Sequence, residues 1–353
     1  MEEKLINGVQ QIGVGVANAE EAFKWYATVL GADVKIFDDT NEATHMAPYM
    51  GGKPRKKRAI MGMNMKGGSG YEIWQHTEHV SQPPKNPIQL GDLGITIARV
   101  KSKAIKTSFD TLKQKEVKLL TEIVKDPNGI ACFYISDPYG NIIQIREFDS
   151  WFNSKNANIG GQYGAFLGVS DIDQSLKLYA DVLGYDQVIY DVKGIFDDFK
   201  GLPNGQGEFR RILLGHKNNR TGGFAKLFGK SEIELVQSID RVPNKIFEGR
   251  FWGELGYIHL CFDIRNMNAL VNECENAGLP FKVLSNPDFD MGDANGHWGY
   301  IEDADGTLIE FVETHKVPLI KKIGWSINLK NRDPHKPLPT WLMKAMALNR
   351  VKF

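Results

Sequence analysis

Two kinds of hydrophobic spacing alternate along this chain. Near the N-terminus, apolar and polar residues alternate from Val9 onward, the period that buries one face of a β-strand. From Val16 to Asp33 (VANAEEAFKWYATVLGAD) the spacing changes, and Ala22, Tyr26, Val29 and Leu30 fall on one side of a helix. Asn18 is placed to cap that helix, and Gly31 suits the left-handed position that ends it.

The same passage recurs. Val169 to Asp186 (VSDIDQSLKLYADVLGYD) matches without gaps at an offset of 153, pairing Lys24 with Lys177, Tyr26 with Tyr179, Leu30 with Leu183 and Gly31 with Gly184. Asp171 takes the cap position. Further on, ISDPYGNIIQI (135–145) matches IEDADGTLIEF (301–311), and both read as strand, tight turn, strand around Asp137/Gly140 and Asp303/Gly306. The repeats predict an α+β chain of four βαβββ modules: Val9 to Thr77, Leu93 to Phe148, Gln162 to Ile239 and Gly256 to Thr314. Modules one and two are expected to form an N-terminal domain (1–148). A polar linker (149–160) leads to a C-terminal domain (161–316) built from modules three and four. Each domain would be a curved mixed sheet around a cleft with helices outside. The extension 317–353 has Trp341, Leu342, Ala345 and Met346 at helical spacing, a short helix to pack on the body or on a partner subunit, which leaves a homodimer open.

Composition narrows the partners. Lys plus Arg and Asp plus Glu are 43 each, so no overall field favours nucleic acid or an anionic membrane. The basic run Lys53 to Arg58 reads as a solvated loop. Three cysteines without a CxxC spacing argue against a disulfide framework. The acidic start is unlike a signal peptide, and no apolar run approaches the ~20 residues of a membrane span. A cytoplasmic protein acting on a small molecule is the expectation. No P-loop, Rossmann or G-x-S-x-G pattern occurs, and His76 and His79 read as surface residues at a strand end. Glu234 in IEL and Glu310 in IEF are carboxylates inside apolar strands, costly to bury without a metal, a cation or a hydrogen-bond donor.

The run VSDIDQSLKLYADVLG resembles the first strand and helix of a vicinal-oxygen-chelate module, and DADGTLIEF resembles its closing hairpin. The resemblance, to the superfamily of glyoxalases, bleomycin-resistance proteins and extradiol dioxygenases, covers nearly all of residues 8 to 316. It implies metal ligands on the first and last strands of paired modules. The N-terminal cleft would then offer Gln11, Glu72, Ile95 and Gln144, a weak set. The C-terminal cleft would offer Gly164, Glu234, Tyr257 and Glu310. His259, two residues beyond Tyr257, should share its face, giving a Glu234, His259, Glu310 set for Zn²⁺, Mn²⁺, Fe²⁺ or Ni²⁺.

On this reading Glu310 and Glu234 serve as ligands and proton carriers, and Tyr257 donates to an oxyanion. His297 is a ligand or supports one, and Phe166 and Trp298 line the C-terminal cleft. The segments 40–58 and 193–207 would close over a substrate. Lyase or isomerase chemistry is favoured over ring cleavage, which normally uses two histidines. The alternative is a metal-free protein that sequesters a small molecule.

Overall fold

The computed structural model describes residues 3–291, 294–320 and 324–353. Module one comprises β1 (Leu5–Gly15), α1 (Ala19–Leu30), β2 (Val34–Glu42), β3 (Lys56–Met63) and β4 (Gly70–His76). Module two comprises β5 (Gly94–Ser102), α2 (Ile105–Gln114), the short β6 (Lys118–Leu119) and β7 (Val124–Lys125), β8 (Ala131–Ser136) and β9 (Ile142–Glu147). Module three comprises β10 (Ile159–Gly168), α3 (Ile172–Leu176), β11 (Gln187–Gly194), β12 (Phe209–Gly215), α4 (Ala225–Phe228) and β13 (Glu232–Ser238). Module four comprises β14 (Gly256–Arg265), α5 (Met267–Asn276), β15 (Val283–Leu284), β16 (Phe289–Met291), β17 (Ala294–Glu302) and β18 (Leu308–Ile320). The extension adds β19 (Trp325–Asn328) and α6 (Thr340–Ala345).

The repeated residues do the same work in both copies. Asn18 Oδ1 accepts from the Glu20 and Glu21 N–H groups, and Asp171 accepts from Gln174 N–H, so a cap side chain takes up free donors at each helix start. Gly31 and Gly184 end the helices at φ 70° and 68°, left-handed conformations that favour glycine. The copies differ in one respect: after Leu176 the second helix widens into a π-helical turn over Lys177–Val182. Each helix tyrosine reaches the hairpin of the next module. Tyr26 OH donates to Asp137 Oδ2 at 2.7 Å, and Tyr179 OH donates to Asp303 Oδ2 at 2.9 Å. The other oxygen of each aspartate accepts two N–H groups of its own turn, so a buried carboxylate is satisfied on both sides.

The modules pair differently from the expectation. One sheet has the order β15-β17-β18-β14-β1-β4-β3-β2, with β16 on β17 and β19 on β18; the other runs β11-β12-β13-β10-β5-β9-β8-β6, with β7 on β8. Module one therefore joins module four through the antiparallel β1–β14 ladder, and module two joins module three through β5–β10. The pairing of one with two and of three with four is corrected. The hydrogen-bonding edges of β1 and β14 satisfy each other, from Leu5 opposite Arg265 to Gly15 opposite Gly256. Neighbours in sequence meet face to face instead: a single apolar core combines residues of both sheets with residues of α1, α2, α3 and α5. The helices thus lie on the convex sides of the sheets, opposite the clefts.

The extension completes the module one–four sheet. β19 pairs with β18, and Leu342, Met343 and Met346 pack beside Met61, Met63 and Val317. Trp341, expected on the packed side, is 64% exposed, and Met343 takes the buried position. No helix among the described residues is long and apolar enough to cross a membrane.

Candidate metal centre

Gln11 on β1, Glu72 on β4, His259 on β14 and Glu310 on β18 converge on the concave face of the module one–four sheet. Each comes from one of its four central strands, and all four are buried. His259 Nε2 lies 3.1 Å from Glu310 Oε2 and 3.3 Å from Glu72 Oε2. Gln11 Nε2 donates to Glu72 Oε2 at 2.9 Å and to Glu310 Oε2 at 3.3 Å. Among the described residues, Glu72, His259 and Glu310 are the one group of His, Cys, Asp and Glu side chains whose donor atoms lie within 4.8 Å of one another.

Strand register explains the convergence. Gly13 is the ladder partner of His259 on one side and of Glu72 on the other. Having no side chain, it leaves room for the imidazole to lie across β1. Cys261, opposite Gln11, is the parallel partner of Glu310. Tyr300 OH stands 3.4 Å from His259 Nδ1, and the Trp252 indole stacks on the imidazole at 6.2 Å.

The electrostatics suit a cation. Burial alone would lower the His259 pKa, but Glu310 and Glu72 outweigh it and hold it up to about 9. Burial works against ionised Glu310 as well, and His259 outweighs that, holding the carboxyl below its ordinary range. His259 Nε2 is buried and close to both carboxylates yet makes no well-formed hydrogen bond. An imidazole nitrogen, two carboxylates and an amide, whose oxygen turns inward on a simple flip, match the donor preferences of Zn²⁺, Mn²⁺, Fe²⁺ or Ni²⁺. The residues fit a divalent ion.

The other sequence candidates lie elsewhere. Glu234 is in the module two–three sheet, where Arg211 Nε donates to its Oε1 at 2.7 Å and Arg99 Nη1 to its Oε2 at 3.1 Å. Arg211 also grips Asp198 at 2.7 and 2.9 Å, its guanidinium 3.7 Å from the Phe199 ring centroid. Arg146 links Asp126 and Glu232. This second cleft is filled by guanidinium groups and carboxylates, and Phe166 and Gln144 belong to it: Phe166 lies 5.0 Å from Arg99, and Gln144 Nε2 donates to Tyr134 OH at 3.0 Å. Glu234 is accordingly corrected from metal ligand to ion-pair partner, and the segment 193–207 packs here rather than over the metal candidates.

Tyr257 and His297 are corrected too. The β1–β14 register passes from Gly13/His259 to Val14/Tyr257, a bulge that leaves Ile258 extra and turns Tyr257 to the opposite face. There Tyr257 is buried in the core and its OH donates to Ile142 O at 2.9 Å. His297 neighbours Trp298 on β17 and points away from the cavity that Trp298 lines, toward Glu313 and His315. His76, expected at the surface, is buried, with its Nε2 3.0 Å from Trp252 O. Lys57, within the basic run, is a buried residue of β3.

Residues 8–145 match the family model of the Glyoxalase/Bleomycin resistance protein/Dioxygenase superfamily. Among solved structures, a putative dioxygenase from Bacillus subtilis is 16% identical at a TM-score of 0.55, covering 88% of this chain and 86% of that one. Glyoxalase I from Zea mays is 13% identical at a TM-score of 0.52, covering 88% of this chain and 92% of that one. At such identities the likeness is one of fold. A search of curated proteins gives no match.

Proposed function

We propose, from the match of residues 8–145 to the Glyoxalase/Bleomycin resistance protein/Dioxygenase superfamily model, that the chain is a member of that superfamily and a metal-dependent enzyme of the lyase or isomerase kind, acting on a small molecule with two adjacent oxygens. The observation that carries this reading is the four-donor convergence of Gln11, Glu72, His259 and Glu310. A bound divalent ion would polarise the two substrate oxygens as a Lewis acid.

The chain's own groups supply the rest. Glu72 and Glu310 stand on either side of His259, and either carboxylate can take a proton from a carbon beside a carbonyl and return it to the neighbouring carbon. Trp74 and Trp252, with ring centroids 4.0 Å apart, keep that side of the site dry, which strengthens each charge interaction within it. One histidine with two carboxylates and an amide differs from the two-histidine, one-carboxylate set of ring-cleaving iron oxygenases, and this favours proton transfer.

Metal analysis after mild dialysis tests the proposal. Retention of about one ion per chain is expected, lost in Glu72→Ala and Glu310→Ala and kept in Glu234→Ala. A protein that keeps no metal and still binds small aromatic molecules would favour sequestration instead.

A further inference from the structure

Gln11, Glu72 and Glu310 line a cavity of about 1210 Å³, the open space at its mouth included. Away from them the walls are thioether, aromatic and aliphatic, with Met61, Met63, Phe228, Trp298, Val317 and Met346 prominent. Much of this wall is added to the repeated module. Phe228 comes from α4, the short helix that precedes β13, Val317 from the overlong β18, and Met346 from the segment that follows α6.

Charge is distributed unevenly around the same space. Four carboxylates line it, Asp39, Glu42, Glu72 and Glu310, against a single lysine or arginine among the described lining residues, Lys57. That ammonium is already engaged, 3.4 Å from Asp39 and 4.7 Å from the Trp74 ring centroid. The imidazole of His45 meets the edges or faces of Phe289 and Trp298 at 5.4 and 5.3 Å. An anionic substrate tail would therefore lose its hydration among acidic and apolar groups with no free guanidinium or ammonium to receive it. An apolar tail would gain by leaving water, and flexible methionines adapt to its shape.

We propose that the substrate is a neutral compound carrying an aliphatic or aromatic tail on its two-oxygen head, with the tail lying along Met61, Met63, Phe228 and Met346. The inference rests on the chelating reading above and names the substrate class of that site.

Three hydroxamates, each with the same two-oxygen head, test it on the full chain loaded with Ni²⁺: acetohydroxamate, octanohydroxamate and the monohydroxamate of suberic acid, which ends in a carboxylate. Calorimetry is expected to show octanohydroxamate binding on the order of 100-fold more tightly than acetohydroxamate, from partial burial of its added methylenes. The carboxylate-ended probe should gain little over acetohydroxamate. Met346→Lys should weaken octanohydroxamate about tenfold and strengthen the carboxylate-ended probe, by adding the missing cation. Equal affinity for all three, or a preference of the unaltered protein for the carboxylate, would overturn the proposal. Tight binding of octanohydroxamate that is identical with and without Ni²⁺ would support the apolar tail site while refuting the chelating reading.

Discussion

Gly13 lies opposite His259 on the β1–β14 ladder, and a β-carbon on residue 13 would stand 2.4 Å from His259 Cε1 and 2.7 Å from each ring nitrogen. The imidazole occupies the volume that a side chain would need. Gly13→Ala should therefore displace the ring, weakening metal binding by roughly 10- to 100-fold while costing about 1–3 kcal/mol of stability. Metal titration of the folded variant checks this, and unchanged affinity would remove His259 from the donor set.

Tyr300 acts on the same ring from the other side, its OH 3.4 Å from Nδ1. Tyr300→Phe keeps the ring packing and removes the contact that orients the imidazole. About tenfold weaker metal binding is expected, with the melting temperature nearly unchanged. If affinity holds, Tyr300 has only a packing role.

The second cleft offers a contrast. Arg99→Met would leave Glu234 with Arg211 as its remaining cation and expose Glu232 to the same loss. Breaking a buried pair in this way costs about 3–5 kcal/mol. Urea denaturation should show that loss, and metal content should stay at the level of the unaltered protein.

Lys101 gives a pH dependence whose sign can be worked out. It is fully buried, and its Nζ donates to Gly67 O at 2.6 Å and Phe228 O at 3.1 Å; burial lowers its pKa from 10.5 to about 7. Between those values the folded chain holds fewer protons than the unfolded one. Stability should rise with pH across that window and fall as pH drops toward 7, below which this group adds no further change. Denaturation midpoints measured across the window should show the slope in the unaltered protein and its loss in Lys101→Met.

The modules were legible because their signals are local. A cap at Asn18 or Asp171, a glycine at 31 or 184 and an aspartate at 137 or 303 each act within a few residues or on the next module. Partner choice was not, because β1 presents the same alternation whether it meets β5 or β14. All four donors were singled out, yet they were divided between two clefts, and neither looked complete. Glu234 looked equivalent to Glu310 because what separates them is Arg99 and Arg211, brought in by other strands. Tyr257 misled for a different reason: strict alternation fails at a bulge, and nothing in YIHLCF announces the extra Ile258.

Gln11 and Glu310 touch across 299 residues of chain. A growing polypeptide displays the first half of the donor set early, and those two side chains must wait while modules two and three are made. Only when β14 and β18 arrive can the set close, so no N-terminal fragment carries it, however well that fragment folds. In the order of synthesis the centre cannot close before module four is made, and bound metal would report that module four had joined module one.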